Sequence, residues 1–384
     1  MKFFEDVKYI VGQGNRVFWK LISCLKFQKN NTIVFESFLG KQYSCNPRAI
    51  YEYLLNKTDD IQFVWAFNDP KKFTSLSKNK NTVLVKRRSL AYYKFVISSK
   101  IFISNWKITA DTPVVKNQFR LQTWHGGGCY KTVGNRIKYS DNFRKKVTSN
   151  DINHFNCFVS SSEYFSNEVI RNQFEYTGKI IESGMPRNDI LVNEVNENQI
   201  LKIKDELNIA KDVYIVLYAP TYRDDSFKFT SIDYGKIKNS VKMRFNKDAI
   251  ILYRGHHMES NSISADVINV TNYYDMQNLL LISDMLITDY SSSIWDFSFT
   301  YKPCFLYTPD LKEYIRNRGI NEDIHSWGFP VCESNETLEK EILNFDAEIH
   351  KKRMKEHHDK LNSFENGHAA EKVCKLILEE LNKE

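Results

Sequence analysis

Short apolar runs alternate with helix-length amphipathic stretches along most of the chain. Thr32–Ser37 (TIVFES), Gln62–Phe67 (QFVWAF), Thr82–Val85, Ile101–Ser104, Arg120–Trp124, Cys157–Ser160 (CFVS) and Ile180–Glu182 read as strands. Arg48–Leu55, Ser89–Ser98 and Ser161–Arg171 have helical spacing, and Pro47 suits the first turn of the first of these. Strands that are apolar almost throughout, separated by helices, make a parallel sheet covered on both faces. The pattern then restarts. The charged amphipathic stretch Asn198–Leu207 leads into Tyr214–Ala219 (YIVLYA), followed by Ile250–Tyr253, Val267–Val270, Met285–Thr288 and Cys304–Tyr307, and the chain closes on the helical run Ala369–Leu381. The expected fold class is α/β, with two Rossmann-like domains, residues 31–195 and 196–384, and a central cleft.

Residues 1–30 stand apart. Phe3, Val7, Ile10 and Val11, then Phe18, Leu21, Ile22 and Leu25, recur at helical spacing, while Lys2, Lys8, Arg16, Lys20 and Lys26 interrupt them. So many charges exclude a bilayer-spanning helix. A basic amphipathic segment suits an anionic membrane surface, and it equally suits a helix packed on its own domain. A length of 384 residues favours two domains over one core, and the net charge of +7 favours an anionic partner. No RNA- or DNA-binding signature accompanies that charge, so nucleic acid is not expected. The seven cysteines are scattered without paired or zinc-type spacing, as in a reducing compartment.

In open α/β sheets ligands bind beyond the carboxyl ends of the strands, so strand-end residues carry the functional reading. Leu121–Gly134 (LQTWHGGGCYKTVG) delivers His125, then Gly126, Gly127 and Gly128, then Lys131. Three bare residues in a row suit a turn or a close ligand approach. Tyr218–Asp225 (YAPTYRDD) brings Thr221 and Arg223 past a strand-stopping proline, and Tyr253–His257 (YRGHH) brings Arg254 and two histidines. Adjacent histidines on extended chain point to opposite sides, and His256 is the one expected to face the site. Ile287–Phe299 (ITDYSSSIWDFSF) places Thr288 and Asp289 at a strand end, with Ser291 and Ser292 at a helix start. Free N–H groups and hydroxyls there form a phosphate cradle, although one serine would also serve as a plain N-cap. No metal-ligand spacing is visible and no metal ligand is assigned, while Mg2+ dependence stays open, with Asp224-Asp225 its nearest and weak candidate.

These segments resemble the CDP-glycerol glycerophosphotransferases, the teichoic acid primases and polymerases of Gram-positive bacteria. The resemblance runs through FLGKQYSCNPRAIYEYL from Phe38, TWHGGGCYKTVG, YAPTYRDD, YRGHH, TDYSSSIWDFSF, KPCFLYTPDLKEYIRNRG from Lys302 and ENGHAAEKV from Glu365, in the family's order. Two positions depart from it. Gly127 and Gly128 stand where the family often has Thr-Pro, and His257 stands where it often has proline.

The resemblance implies a fold similar to GT-B glycosyltransferases and an enzyme held peripherally at the cytoplasmic face of the cell membrane through residues 1–30. It implies a CDP-glycerol donor, or CDP-ribitol as in sister enzymes, in the C-terminal domain, and a lipid-linked saccharide or growing polyol-phosphate acceptor at the N-terminal domain. His125 is then expected as general base and His256 as its partner at the leaving group. Thr221, Arg223, Arg254, Thr288, Asp289, Ser291 and Ser292 are expected on the donor phosphates, and Gly126, Gly127, Gly128 and Lys131 on the acceptor side. A sugar-nucleotide glycosyltransferase and a non-catalytic binder of anionic polymer or membrane are the rival readings.

Overall fold

The computed structural model describes residues 2–23, 29–137, 147, 149, 151–194, 196–221, 231–255 and 267–383. Its two compact units each hold one parallel sheet. The first unit comprises Met1–His125, Ser140–Asp189 and Phe364–Glu384, and the second Gly126–Tyr139 and Ile190–Ser363.

The first sheet is built from β1 (Lys29–Glu36), β2 (Gln62–Phe67), β3 (Thr82–Lys86), β4 (Ser99–Ser104), β5 (Phe119–Gln122), β6 (Cys157–Ser160) and β7 (Lys179–Glu182). Their order is β3-β2-β1-β4-β5-β6-β7. Ile33, Val34, Phe35, Val64, Trp65, Ile101 and Ile103 lose all solvent contact, which explains the unbroken apolar runs: helices cover both faces. The second sheet holds β8 (Tyr214–Ala219), β9 (Ala249–Tyr253), β10 (Val267–Asn269), β11 (Met285–Thr288), β12 (Cys304–Tyr307) and β13 (Val331–Cys332), ordered β10-β9-β8-β11-β12-β13. Both follow the doubly wound order, in which the chain reverses direction across the sheet at one point. That switch lies between β1 and β4 in the first unit and between β8 and β11 in the second, and the crevice there is where such folds bind ligands.

Two features differ from the expected division at residues 30 and 195. The C-terminal helix Ala369–Leu381 belongs to the first unit, not the second. Asp189 accepts hydrogen bonds from the backbone N–H groups of Ala369 and Ala370 at 2.9 and 2.8 Å, and the Cys374 thiol reaches the Ile50 carbonyl at 3.7 Å. An apolar helix face returning from 180 residues away leaves no trace in local periodicity. Conversely, the glycine-rich segment after His125 belongs to the second unit.

The N-terminal helix Lys2–Ser23 packs on the first unit. Trp19 stacks on Tyr93 with ring centroids 5.0 Å apart. Arg16 is buried and donates to the carbonyls of Thr112 and Thr109 at 3.0 and 2.7 Å. Its opposite face keeps Ile10, Val11, Val17, Phe18 and Leu21 between 55% and 68% exposed. One face is thus packed on its own unit, and an apolar row on the same helix is left in water.

Candidate active site

His125 stands three residues beyond β5, in the first unit. Its Nδ1 lies 2.9 Å from the carbonyl oxygen of Asn105, which directly follows β4. A carbonyl oxygen has no proton to give, so Nδ1 carries the hydrogen and Nε2 is the basic nitrogen of the neutral ring. The ring is held in an aromatic slot. Trp106 stacks at 5.1 Å and 12°, Trp124 at 4.4 Å and 30°, and Phe38 packs at 5.3 Å and 56°. Trp124 adopts a left-handed backbone at φ 49°, fixed by its N–H donating to the Gln122 side chain at 2.8 Å.

The wall opposite is the end of β1, which lies beside β4 at the switch point. Phe38, Leu39 and Gly40 follow one another at φ 46°, 56° and 75°. Two large residues in this region are strained, and side chains from neighbouring strand ends hold them. The Phe38 N–H donates to Asn105 Oδ1 at 2.7 Å, and Asn68 Nδ2 donates to the Leu39 carbonyl at 3.0 Å. Directly before the turn, the Glu36 carboxylate accepts from Arg87 Nε at 2.8 Å in a buried pair. Burial is the largest single influence and works against the Arg87 charge, but Glu36, with Tyr92 and Asp111 behind it, outweighs burial in sum and pushes the pKa up.

In the second unit the candidate residues gather at the ends of β8 and β11. Asp289, 1% exposed, accepts from the Thr221 N–H at 2.8 Å, from the Thr221 hydroxyl at 2.5 Å and from the Tyr290 N–H at 2.6 Å. Lys131 Nζ donates to the Thr221 hydroxyl at 3.2 Å. Arg254 follows β9, with its N–H bonded to the Tyr218 carbonyl at 2.9 Å. Its Nη1 is buried with no hydrogen-bond partner among the described residues, and burial lowers its pKa. A desolvated guanidinium of this kind is suited to an incoming anion.

The structure places the expected residues as follows. Thr288 is fully buried and its hydroxyl donates to the Ala219 carbonyl at 2.7 Å, so in this structure it ties β11 to β8. Asp289 is a carboxylate filled by three protein donors; it aims Thr221, and its own charge would repel phosphate. Lys131, expected on the acceptor side, stands with Thr221 in the second unit. The helix after the serines starts at Ser293 without a side-chain cap from Ser292, and the Ser291 hydroxyl accepts from the Ser293 N–H at 3.3 Å. Gly128 is bare because the Tyr130 ring fills the place of its missing Cβ, with Trp295 Cβ 2.8 Å from that position. Gly126 and Gly127 accompany it in the second unit. Arg223, His256 and the pair Asp224-Asp225 lie outside the described residues. No group of three metal-ligating side chains occurs among the described residues.

Asn105, Trp106 and Phe38 were not singled out as site residues in the sequence. The rule that picked out four strand ends applies equally to β4, where Asn105-Trp106 ends the apolar run KIFIS. The strained turn after β1 had no such signal, because phenylalanine and leucine do not advertise positive φ.

The profile of the CDP-Glycerol:Poly(glycerophosphate) glycerophosphotransferase family matches residues 18–379. The chain belongs to that family. It is 32% identical over 378 residues to the teichoic acid poly(glycerol phosphate) polymerase of Bacillus spizizenii, covering 90% of this chain and 91% of that one. It is 30% identical over 404 residues to the teichoic acid glycerol-phosphate transferase of Staphylococcus aureus, covering 97% and 99%. The solved wall teichoic acid polymerase TagF superposes with a TM-score of 0.83 at 30% identity, covering 99% of this chain and 97% of that one. Identity to the teichoic acid ribitol-phosphate polymerase TarK of Staphylococcus aureus is 25%. The chain spans about half the length of two further polymerases, from Staphylococcus epidermidis and Bacillus subtilis, 52% and 49% respectively. A UDP-N-acetylglucosamine 2-epimerase structure from Listeria monocytogenes, at TM-score 0.53 and 12% identity, shares the fold alone. The family makes this chain an enzyme of the glycerophosphotransferase class.

Proposed function

We propose that this enzyme moves glycerol phosphate from CDP-glycerol to a hydroxyl of a lipid-linked saccharide or growing teichoic-acid-type chain, releasing CMP. Family membership supports the donor class, and the higher identity to glycerol-phosphate than to ribitol-phosphate relatives supports glycerol. The observation that carries the chemistry is His125, whose Nδ1 is committed to the Asn105 carbonyl and whose Nε2 is left basic.

In this reading the acceptor hydroxyl attacks the phosphorus that carries the glycerol, and His125 Nε2 takes the hydroxyl proton. The O–P bond to CMP breaks, with His256 supplying charge stabilisation or the proton to the leaving group. Positive charge developing on His125 meets two indole faces, which favour a cation. Thr221, Lys131, Arg254 and the Ser291–Ser292 turn are the groups this reading assigns to the donor phosphates, and Arg223 is assigned to them from the sequence alone. Phosphoryl transfer depends mainly on such positioning and charge stabilisation, and one general base supplies roughly a hundred- to ten-thousandfold in rate.

The acceptor reading extends to the membrane. No helix of the described residues is long and apolar enough to cross a bilayer, and the exposed apolar row of the N-terminal helix suits peripheral binding at the cytoplasmic face.

Purified protein offered CDP-glycerol, CDP-ribitol and UDP-sugars with a lipid-linked acceptor tests this reading. CMP release from CDP-glycerol, with product mass rising by glycerol phosphate units, is expected. Turnover of a UDP-sugar in its place, or no release from any donor, overturns it. The count of units added separates a primase from a polymerase.

A further inference from the structure

We infer that Asn105 is the positioning residue that sets the tautomer and orientation of His125, an inference that rests on the reading of His125 as the base. Asn105 is fully buried at the end of β4, and each of its polar groups has a separate task. The backbone carbonyl accepts from His125 Nδ1 at 2.9 Å. Oδ1 accepts from the Phe38 N–H at 2.7 Å, and Nδ2 donates to the Ser37 hydroxyl at 3.3 Å. The Ser37 hydroxyl in turn donates a hydrogen bond to the Ser44 carbonyl at 3.0 Å. The side chain therefore bolts the carbonyl that holds the imidazole to the strained turn whose Phe38 ring packs on it. The next residue, Trp106, carries the indole stacked on the same imidazole. Its N–H and carbonyl are fixed by the Ser104 hydroxyl at 3.1 Å and by Gln122 Nε2 at 2.8 Å.

The physical consequence is tautomer selection. A neutral imidazole has one donor and one acceptor nitrogen, and which is which follows from the bond made by the other. A carbonyl fixed against Nδ1 leaves Nε2 as acceptor in every molecule. A carbonyl free to drift lets the ring populate the other tautomer, in which Nε2 already bears a proton and takes none. Orientation matters as much, because general-base transfer needs hydrogen-bond reach.

The test uses full-length Asn105→Ala and Asn105→Asp, the second keeping an acceptor for the Phe38 N–H. Protein labelled with 15N-histidine is read by long-range 1H–15N correlation, with the His125 signals assigned by their loss in His125→Gln. Wild type is expected to show a protonated Nδ1 and a bare Nε2. Asn105→Ala is expected to show mixed tautomers, a fall in kcat of roughly ten- to a hundredfold as part of the general-base factor, and an unchanged KM for CDP-glycerol. Asn105→Asp is expected to restore the single tautomer. A folded Asn105→Ala protein with the wild-type tautomer overturns the inference, whatever its rate. If Asn105→Ala does not fold, Asn105→Asp decides: a single tautomer supports the role and a mixed one overturns it. Full turnover in His125→Gln removes the base assignment instead, and leaves the tautomer measurement on Asn105 standing.

Discussion

The Tyr130 phenol and His357 Nε2 are joined by a 2.9 Å hydrogen bond, buried inside the second unit. The bond anchors the glycine-rich segment to the Ala347–Lys360 helix. Tyr130 also packs on Trp327 at 4.1 Å, and the Thr132 hydroxyl donates to the Arg318 carbonyl at 2.8 Å. Lys131 lies between these two anchors and reaches Thr221 from there. The segment whose three glycines suit a turn or a close ligand approach is thus followed by a strap with its side chains sunk into the unit.

Gly128→Ala tests the strap. An added Cβ would overlap the Tyr130 ring at 2.2 Å and press Trp295 Cβ at 2.8 Å, distances that force the aromatic ring to move. The expected result is a lower thermal midpoint together with a raised KM for CDP-glycerol, because Lys131 moves with Tyr130. Tyr130→Phe removes only the hydroxyl and should cost about 1–2 kcal/mol with a smaller change in KM. Equal effects from the two variants would mean that packing at Gly128 is unimportant.

Acid should unfold the second unit through its buried histidines. Burial lowers the pKa of His350 and of His357 to about 4, and of His358 to about 3, from 6.5. The unfolded chain binds protons in that interval that the folded chain refuses. Stability is therefore full above about pH 6.5 and is lost as pH falls toward 4. The drop from 6.5 to about 4 corresponds to roughly 3 kcal/mol per histidine. His358 Nε2 also bonds to the Ser298 hydroxyl at 2.7 Å, so His358→Asn keeps a polar partner while removing the titration. Its fluorescence-monitored acid midpoint should fall to lower pH, and an unchanged midpoint would refute the assignment.

Arg87→Met should be among the most destabilising single changes in the first unit. It leaves the Glu36 carboxylate, 3% exposed, with the Tyr92 hydroxyl at 3.3 Å as its remaining partner described here. Breaking one side of a buried pair typically costs about 3–5 kcal/mol. Arg87→Met combined with Glu36→Gln should recover much of that loss, since the uncompensated charge is then gone. Urea midpoints of both single variants and the double variant give the coupling directly. Because Glu36 precedes the Ser37–Gly40 turn, kcat should follow stability more closely here than at a surface pair.

The strands were legible because burial on both faces writes itself as continuous apolar sequence: Gln62–Phe67, Tyr214–Ala219, Met285–Thr288 and Cys304–Tyr307 match their expected limits. β13, only two residues long, offered too little pattern. The positions of His125, Thr221 and Arg254 just beyond β5, β8 and β9 were legible because the strand-end rule is topological and survives without coordinates. Their partners were not. Asn105 acts on His125 through a backbone carbonyl, which every residue has, so its identity carried no signal for that contact. Thr288 and Asp289 looked like ligand residues because sequence shows polarity without direction: one hydroxyl turns back to Ala219, and one carboxylate is consumed by Thr221.

The exposed apolar row of the N-terminal helix is where the proposed membrane contact can be tested. Removing Met1–Leu25 would also strip Trp19 from Tyr93 and Arg16 from the Thr109 and Thr112 carbonyls, so a deletion confounds docking with folding. Substituting the outer row alone avoids this. Ile10, Val11, Phe18 and Leu21 are each at least half exposed, and their replacement by serine removes mainly solvent-facing apolar area while leaving Trp19 on Tyr93, although the Phe18 ring also meets the edge of Trp19 at 5.4 Å. Co-sedimentation with phosphatidylglycerol vesicles should drop at least tenfold in the quadruple variant, since about 1.4 kcal/mol already gives that factor and each buried side chain is worth about 1.5–3 kcal/mol. Turnover on a water-soluble acceptor should stay at the wild-type level. Undiminished sedimentation would show that this face is not the membrane contact, and lost soluble turnover would show that the helix supports the catalytic unit itself.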